Sequence, residues 1–300
     1  YDPVDWDHYD IMANRNGIGL PGEDYTSDKV HLSAHAVKVK DHMVNVNIFQ
    51  KKDLKKPAPV FYYLHGGNWM GSSVAWKASQ CTYMAEHSDI MVVAVDYRLC
   101  PENPYPAGLD DCIGVKEWMV ANAERLGIDP ERICVGGDSA GGNLTAALCL
   151  KSPQNVWRAI YIYAAFDLLM AKDTPYHWDY SMYPMCPEQK EVIMNRLNRF
   201  KRMMGVTQAL YVQDGTPITD PLVSPMFAED VSGLPKCLFI QAEFDYFKIC
   251  MDVFGQRLEQ AGVEVEEVLY EGMDHGFFDR FGLMEQCRDS LDEMIRFMEQ

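Results

Sequence analysis

The chain has 300 residues, of which 48% are hydrophobic, and this is enough apolar material for the core of one large or two small domains. Its 44 acidic and 27 basic residues give a formal net charge of −17, which disfavours nucleic acid and anionic membrane surfaces as partners. No apolar run is long enough to span a membrane, and no signal-like segment precedes the first predicted element.

Nine cysteines are scattered through mostly apolar surroundings, without a C-x-x-C pair or a spacing typical of zinc sites. This pattern favours reduced core thiols and a cytoplasmic location over a disulfide framework. Because the numbering begins at Tyr1 rather than at a methionine, a preceding segment, a removed signal peptide included, is left open.

The first part of the chain predicts a loose segment followed by a half-buried strand pair. Residues 1–30 are aromatic, acidic and punctuated by Gly and Pro, so we expect them to fold over another part of the molecule. Ala34–Lys40 and Met43–Phe49 alternate apolar and polar residues, as the strands of an antiparallel pair do.

The remainder alternates short apolar runs with longer helical patterns, and this predicts a mostly parallel sheet with helices on both faces. The predicted strands are Val60–Leu64, Ile90–Val95, Arg132–Gly136, Trp157–Tyr163, Cys237–Ala242 and Glu264–Tyr270. The predicted helices cover about Trp76–His87, Ala107–Arg125 (closed by Gly127), Asn143–Leu150, Lys248–Ala261 and Leu283–Met298.

The alternation breaks over residues of about 168–220, which contain an aromatic, Met-rich loop and an amphipathic helix of about Pro187–Met204. We predict a single domain, residues 1–300, with a cap formed by about 1–30 and about 168–220. Aromatic side chains of these two pieces, Trp178 and Tyr183 with Trp6, Tyr9 and Tyr176, are expected to bind substrate. The alternative is that they only pack the cap against the body.

One stretch predicts a reactive serine. Gly137-Asp138-Ser139-Ala140-Gly141 has the form G-x-S-x-G and stands between a predicted strand and a predicted helix, which is the context of a nucleophile elbow. The glycines permit a turn tight enough to lift the hydroxyl of Ser139 from the sheet, next to the positive end of the helix.

A serine nucleophile needs a base, and the base needs an orienting carboxylate. Loops that follow different parallel strands meet at one sheet edge, so we searched after the later strands. Asp245 follows one of them and His275 follows the next, giving the order Ser, acid, His. Glu243 is the main competitor for the role of the acid, and Asp274 is a weaker one.

Acyl transfer also needs donors for an oxyanion. The loop His65-Gly66-Gly67-Asn68-Trp69 follows a predicted strand, and we expect the oxyanion hole to comprise Gly66, Gly67, Asn68 and Ala140, with Gly66 shaping the turn. Trp69 and Asp138, beside these donors, are predicted to contact substrate. His65 is expected to anchor the loop by a hydrogen bond to the backbone.

From about residue 58 onward, the sequence resembles the hormone-sensitive-lipase-like branch of the α/β hydrolases, the bacterial family IV esterases. Four stretches carry the resemblance: His65–Trp69, Asp96–Glu102 with Tyr105–Ala107, Gly137–Gly142 and Asp274–Phe277. It implies an eight-stranded sheet, a helical cap, the triad Ser139/Asp245/His275 and hydrolysis of carboxylic esters with short to medium acyl chains. It also implies a small-molecule ester substrate, no metal or cofactor, no stable membrane insertion and association as a homodimer through the last strand or helix.

Two departures from this family bear on function. Asn68 stands where the third glycine of the oxyanion loop is usual, and Asp245-Tyr246-Phe247 replaces the usual Asp-Pro-Leu. The form His-Gly-Gly-x-Trp also resembles kynurenine formamidases, which hydrolyse an N-formyl amide, and this is the alternative enzyme. A non-catalytic binding protein is the third reading, although such proteins commonly lose a triad member and this chain keeps all three.

Overall fold

The computed structural model describes residues 9–16, 22–169 and 178–300 of the chain, and an eight-stranded sheet forms its centre. The spatial order of the strands is β1-β2-β4-β3-β5-β6-β7-β8. β1 pairs antiparallel with β2 and β2 with β4, whereas all the other pairs are parallel. The strands are β1 Val30–Val39, β2 His42–Lys51, β3 Ala58–Leu64, β4 Met91–Asp96, β5 Ile128–Asp138, β6 Arg158–Ile162, β7 Lys236–Phe244 and β8 Val265–Asp274.

The central strands form the core because their apolar runs are buried on both sides of the sheet. Every residue of β6 is buried, and so is every residue of β4 except its last, Asp96. The edge strand β8 is mostly half-buried or exposed. The continuous apolar runs therefore predicted the interior of a parallel sheet correctly, and the α/β fold class is confirmed.

Helices flank this sheet. α2 packs against α8, and α3 packs against α5, which gives the two helical layers of the fold. The helices are α1 Ile11–Asn16, α2 Ala78–His87, α3 Ala107–Ala121, α4 Ala123–Leu126, α5 Ala140–Lys151, α6 Lys190–Tyr211, α7 Lys248–Gln260 and α8 Glu285–Glu299. Each predicted helix corresponds to one or two of these, and Gly127 ends α4 in the left-handed conformation with φ of 72°.

Two element boundaries differ from the prediction. The predicted helix over 107–125 is divided at Asn122 into α3 and α4. α6 continues through Gly205 to Tyr211 instead of ending near Met204, because its last turns bury Thr207 and Tyr211. Tertiary packing therefore outweighs the low helix propensity of glycine at this position. Across the described residues, no helix combines the length and the hydrophobicity needed to cross a lipid bilayer.

Candidate active site

Ser139 lies at the junction of β5 and α5, in a backbone conformation that side chains rarely adopt. Its φ of 54° and ψ of −116° turn the chain sharply between the last strand residue, Asp138, and the first helix residue. The two flanking glycines are required by close approach: a Cβ on Gly137 or Gly141 would lie 2.2 Å or 1.9 Å from the carbonyl oxygen of Leu64. The elbow is therefore pressed against β3, and no side chain fits between them.

His275 bridges the serine and an aspartate. Its Nε2 lies 2.9 Å from Oγ of Ser139, and its Nδ1 lies 2.7 Å from Oδ2 of Asp245. Asp245 is 1% exposed, and its other oxygen, Oδ1, accepts the Phe247 backbone N–H at 2.8 Å. The carboxylate is thus held on both sides, with one oxygen fixed by its own loop and the other facing the imidazole.

The two competing carboxylates point elsewhere. Glu243 accepts the backbone N–H of Gly272 at 2.8 Å, so its side chain ties the ends of β7 and β8 together. Asp274 accepts from Nε of Arg196 at 2.5 Å and thereby joins the loop of His275 to helix α6. Of the three acids considered for the role, Asp245 is therefore the one whose oxygen meets the imidazole.

The loop after β3 exposes backbone amides next to the serine. Gly67 has a φ of 123°, and Asn68 and Trp69 adopt φ of 57° and 56°. The carbonyl of Gly67 accepts the amides of Met70 and Gly71, which closes the turn. Within the described part of the chain, the amides of Gly67, Asn68 and Ala140 meet no acceptor. They are thus the available donors beside the hydroxyl of Ser139.

The prediction that Gly66 belongs to the oxyanion hole needs correction. Its N–H donates to Oδ1 of Asp138 at 2.8 Å, so this amide is already used. A Cβ at Gly66 would also lie 2.3 Å from that carboxylate. Gly66 therefore permits the close approach that ties the oxyanion loop to the elbow, in agreement with the turn-shaping role expected for it.

The prediction that Asp138 contacts substrate is corrected for the same reason. Besides the Gly66 amide, its carboxylate accepts from the hydroxyl of Tyr63 and from Nζ of Lys77, the latter at 3.2 Å. Lys77 also forms an ion pair with Asp279. Although Asp138 borders the cavity beside Ser139, its carboxylate oxygens are occupied by the protein's own donors.

This buried charge cluster holds Asp138 ionised. Burial alone would raise the pKa of Asp138, but Lys77, Tyr63 and Gly66 hold the pKa below its ordinary value. For Lys77 burial favours the neutral amine, yet the two carboxylates raise its pKa above the ordinary value. Burial raises the pKa of Asp279, the more weakly compensated of the two acids. Apart from the aspartate before the serine, no feature of the sequence indicates this cluster.

His65 anchors the oxyanion loop, as expected. Its Nδ1 lies 2.7 Å from the carbonyl oxygen of Gly66, and its ring stacks on Tyr97 with centroids 4.4 Å apart. The hydroxyl of Tyr97 in turn donates to the His65 carbonyl at 2.7 Å. Burial lowers the pKa of His65, which favours a neutral imidazole. Among the described residues, no group of three or more Asp, Glu, His or Cys side chains is placed to hold a metal ion.

A cavity of about 180 Å³, here called the serine cavity, opens above Ser139. Its apolar wall is formed by Tyr163, Phe200, Met203 and Phe247, together with the backbone of the oxyanion loop. The rings of Tyr163 and Phe200 each lie 4.5 Å from the imidazole of His275. The side of α6 that faces this cavity was not identified from the sequence, although its Arg, Phe and Met residues recur at helical spacing.

The predicted substrate-binding aromatics are distributed differently. Trp69 borders the serine cavity, but its ring is 2% exposed and stacks on Tyr211. Trp178 and Tyr183 do not line this cavity, and this corrects their predicted role. The hydroxyl of Tyr183 donates to the Asp245 carbonyl at 2.8 Å, and the indole N–H of Trp178 donates to Tyr183. Both rings therefore brace the loop of the acid from behind, which is the packing alternative.

The predictions for Trp6, Tyr9 and Tyr176 as substrate-binding aromatics differ in whether the structure describes these residues. Tyr9 lies in a second, adjacent recess, together with Asn68 and residues of α6. Trp6 and Tyr176 lie outside the described residues. The side chain of Asn68, which replaces the third glycine of the oxyanion loop, accepts a hydrogen bond from the hydroxyl of Thr207 on α6 at 2.8 Å.

Comparisons with known proteins agree with this arrangement. A family model described as alpha/beta hydrolase fold matches residues 61–279. An arylesterase of Saccharolobus solfataricus is 28% identical over 246 residues, which are 80% of this chain and 75% of the relative. The carboxylesterase NlhH of Mycobacterium tuberculosis is 31% identical over 243 residues, 78% of this chain and 71% of the relative. The structure of an esterase from Pyrobaculum calidifontis superposes with a TM-score of 0.78 at 25% identity and covers 96% of this chain and 88% of that one.

Proposed function

The chain belongs to the hormone-sensitive-lipase-like branch of the α/β hydrolases, a family of serine esterases, and we propose that Ser139, His275 and Asp245 carry out its carboxylesterase activity. The observation that carries this assignment is the double contact of His275, 2.9 Å from the hydroxyl oxygen and 2.7 Å from the carboxylate. Both separations are hydrogen-bond distances, so His275 can accept the proton of Ser139 while Asp245 orients its ring.

In the proposed mechanism, Asp245 holds the imidazole with Nδ1–H towards its carboxylate, so that Nε2 is free to accept a proton. His275 removes the proton of Ser139 as Oγ attacks the ester carbonyl. The imidazolium then protonates the departing alcohol, and the C–O bond to that alcohol breaks. Water repeats the sequence on the acyl-enzyme and releases the acid, which regenerates the serine.

The oxyanion formed in each half-reaction is bound by the backbone amides of Gly67, Asn68 and Ala140. Ala140 opens helix α5, so its amide adds the positive end of the helix dipole. Preorganised donors of this kind are commonly the largest electrostatic contribution to acyl transfer. Asn68 supplies its backbone N–H as a glycine would, while Thr207 ties its side chain to α6.

Esters with short to medium acyl chains are the proposed substrates. The serine cavity has a volume of about 180 Å³ and is bordered by aromatic rings and a methionine, which suits an apolar chain of limited length. Phe200 and Met203, both on α6, form part of its apolar wall. Trp69 contributes to the wall beside the oxyanion loop.

The test is a rate comparison on one purified sample. p-Nitrophenyl acetate, butyrate and octanoate are compared with N-formylkynurenine, with Ser139→Ala as the blank and Ser181→Ala, an exposed serine, as the matched control. We expect rapid ester cleavage, loss of about 10⁶-fold in turnover for Ser139→Ala, and full activity for the control. Efficient deformylation with weak ester cleavage would favour the formamidase. The absence of any turnover would favour the non-catalytic binding protein.

We also propose the context in which the enzyme works. A cytoplasmic location is supported by nine unpaired cysteines, of which only Cys186 is exposed. A cap formed by about 1–30 and about 168–220 on a single domain is supported by the position of α6 beside Ser139. A homodimer through β8 or α8 rests on the exposed edge of the sheet, and nucleic acid is disfavoured as a partner by the net charge.

A further inference from the structure

Helix α6 carries basic residues on the side that faces the active site. Arg196 and Arg199 both border the serine cavity. Arg199 and Arg202 border a second recess of about 230 Å³, here called the arginine recess, which Tyr9 and Val206 complete. Asn68, Arg199 and Met203 line both spaces, so the recess adjoins the serine cavity.

The three arginines differ in whether they are neutralised. Arg196 forms an ion pair with Asp274 and donates to the carbonyl of His275, so it is part of the catalytic loop's support. Within the described part of the chain, no carboxylate lies within ion-pair distance of Arg199 or Arg202, and neither guanidinium donates a hydrogen bond. Among the described residues, these two cationic groups next to the serine cavity are therefore without a carboxylate partner.

This arrangement is unexpected in a chain with a net charge of −17. The chain has 44 acidic and 27 basic residues, so a surface arginine is expected to have a carboxylate nearby. Both arginines are also exposed, so they do not serve the core. Their spacing of three residues places them on neighbouring positions of one helix side, where two guanidinium groups can approach the same ligand.

The anionic groups that border the serine cavity are paired with a lysine. Asp138 and Asp279 border it beside the serine, and both are held by Lys77. Phe200, Met203 and Phe247 line the same cavity with apolar side chains. Because Arg199 and Met203 line both the serine cavity and the arginine recess, a substrate that reaches from Ser139 into the recess passes apolar side chains and meets two arginines. A negatively charged substituent of such a substrate is attracted by the guanidinium groups of Arg199 and Arg202.

From this polarity we infer that the enzyme prefers esters that carry a carboxylate, separated from the scissile carbonyl by an apolar spacer. Arg199 and Arg202 bind this carboxylate in the arginine recess, where a guanidinium can donate two parallel hydrogen bonds to it. The inference rests on the proposed esterase function and adds the substrate class. Both arginines are specificity-determining residues and take no part in the bond-breaking steps.

The experiment compares matched charged and neutral esters. On the acyl side the pair is mono-p-nitrophenyl adipate and its methyl ester; on the alcohol side it is 4-butyryloxyphenylacetate and its primary amide. Values of kcat/KM are measured for wild type, Arg199→Gln, Arg202→Gln and the double variant, with spontaneous hydrolysis subtracted. Lys201→Gln is the matched control, because Lys201 lies on the same helix but packs over the rings of Trp178 and Tyr180.

We expect wild type to favour the charged ester of at least one pair. The double variant should lower kcat/KM for that ester about tenfold, since hydrogen bonds to charged groups exceed exposed ion pairs in strength. The neutral ester should change less than about twofold, and Lys201→Gln should leave the ratio of charged to neutral rates unchanged. The preference should also weaken towards about 1 M salt, where the Debye length is about 3 Å.

Equal rates for the charged and neutral members of both pairs, with no effect of the double variant, would overturn the inference while leaving the esterase function intact. Loss of both rates in Ser139→Ala tests the esterase function separately. If no ester is cleaved, a binding measurement tests the inference instead. Monomethyl adipate should bind Ser139→Ala more tightly than dimethyl adipate does. Adding Arg199→Gln and Arg202→Gln to Ser139→Ala should abolish this difference in affinity. Equal binding of the two would again refute it.

Discussion

Replacement of Asp138 by asparagine tests how the oxyanion loop is positioned. The carboxylate accepts the Gly66 amide at 2.8 Å and receives two further donors, Tyr63 and Lys77. Asparagine keeps the shape, but it has one acceptor oxygen instead of two and turns an NH₂ group towards a donor. Because Gly66 and Tyr63 both donate to Oδ1, the asparagine oxygen takes that position and its NH₂ group faces Lys77. The Gly66 hydrogen bond then loses its charge assistance and is weakened. Gly67 and Asn68, the next residues, carry the proposed oxyanion donors.

The size of the effect follows from what is lost. Complete removal of one oxyanion donor costs about 10²–10³ in kcat. Asp138→Asn displaces the loop without deleting a donor, so we expect kcat to fall about 10- to 100-fold with little change in KM. Loss of one carboxylate from Lys77 should also lower the free energy of unfolding, by about 3 kcal/mol at most because Asp279 remains as its partner.

Asp279→Asn is the matched control. It removes the other carboxylate of Lys77, but Asp279 makes no contact with the Gly66 amide. Both variants should be destabilised in thermal unfolding, whereas only Asp138→Asn should lose most of its kcat. The assay is steady-state hydrolysis of p-nitrophenyl butyrate, with kcat and KM resolved. Equal losses of kcat in the two variants, or a kcat of Asp138→Asn within about threefold of wild type, would refute the reasoning.

Three further predictions concern stability and loop support. Lys77→Met should cost about 3–5 kcal/mol in denaturant unfolding at pH 7, because it leaves a buried carboxylate unpaired. In wild type the pKa of the Asp138 carboxyl lies below its ordinary value, so the stability that its ion pair contributes is lost as pH falls. In Lys77→Met burial raises the pKa of Asp138, so the stability of the variant is lost as pH rises. The difference in free energy of unfolding between the two proteins should therefore shrink towards pH ~4. Thr207→Val should lower kcat/KM about fivefold, because it removes the hydrogen bond from Thr207 to the Asn68 side chain, worth about 1 kcal/mol. In a double-mutant cycle, Thr207→Val should cause no such loss when Asn68→Gly is already present. Gly141→Ala should yield no folded enzyme by circular dichroism, since its Cβ would lie 1.9 Å from a backbone carbonyl, whereas Gly233→Ala, with nothing within 4 Å, should unfold as wild type does.

The sequence was most informative where backbone periodicity and glycine pattern determine the structure. Continuous apolar runs predicted the buried parallel strands β3 to β7, and two glycines around Ser139 predicted a turn that the structure places against β3. The acid and base followed from topology alone, because loops after β7 and β8 end at one sheet edge. Asp245 is the predicted acid, but topology alone does not exclude Glu243 and Asp274; their contacts with Gly272 and with Arg196 distinguish them from Asp245.

Side-chain placement in the cap could not be predicted from the sequence. Trp178 and Tyr183 have the composition of a substrate pocket, but their polar groups bond to each other and to the carbonyls of Asp245 and Tyr246. Nothing in a single sequence indicates that an aromatic ring will satisfy a backbone carbonyl instead of a ligand. Conversely, the repeat of arginine at 196, 199 and 202 was visible, yet its meaning depends on which of the three meets a carboxylate.

The central claim is that Ser139 is the nucleophile activated by His275, and covalent labelling tests it most directly. A fluorophosphonate is added to wild type, Ser139→Ala and His275→Ala, and the adduct is located by peptide mass spectrometry. The account predicts one adduct, on Ser139, forming in step with loss of esterase activity, absent in Ser139→Ala and much slower in His275→Ala. An adduct on another residue, or full esterase activity in protein labelled at Ser139, would contradict it.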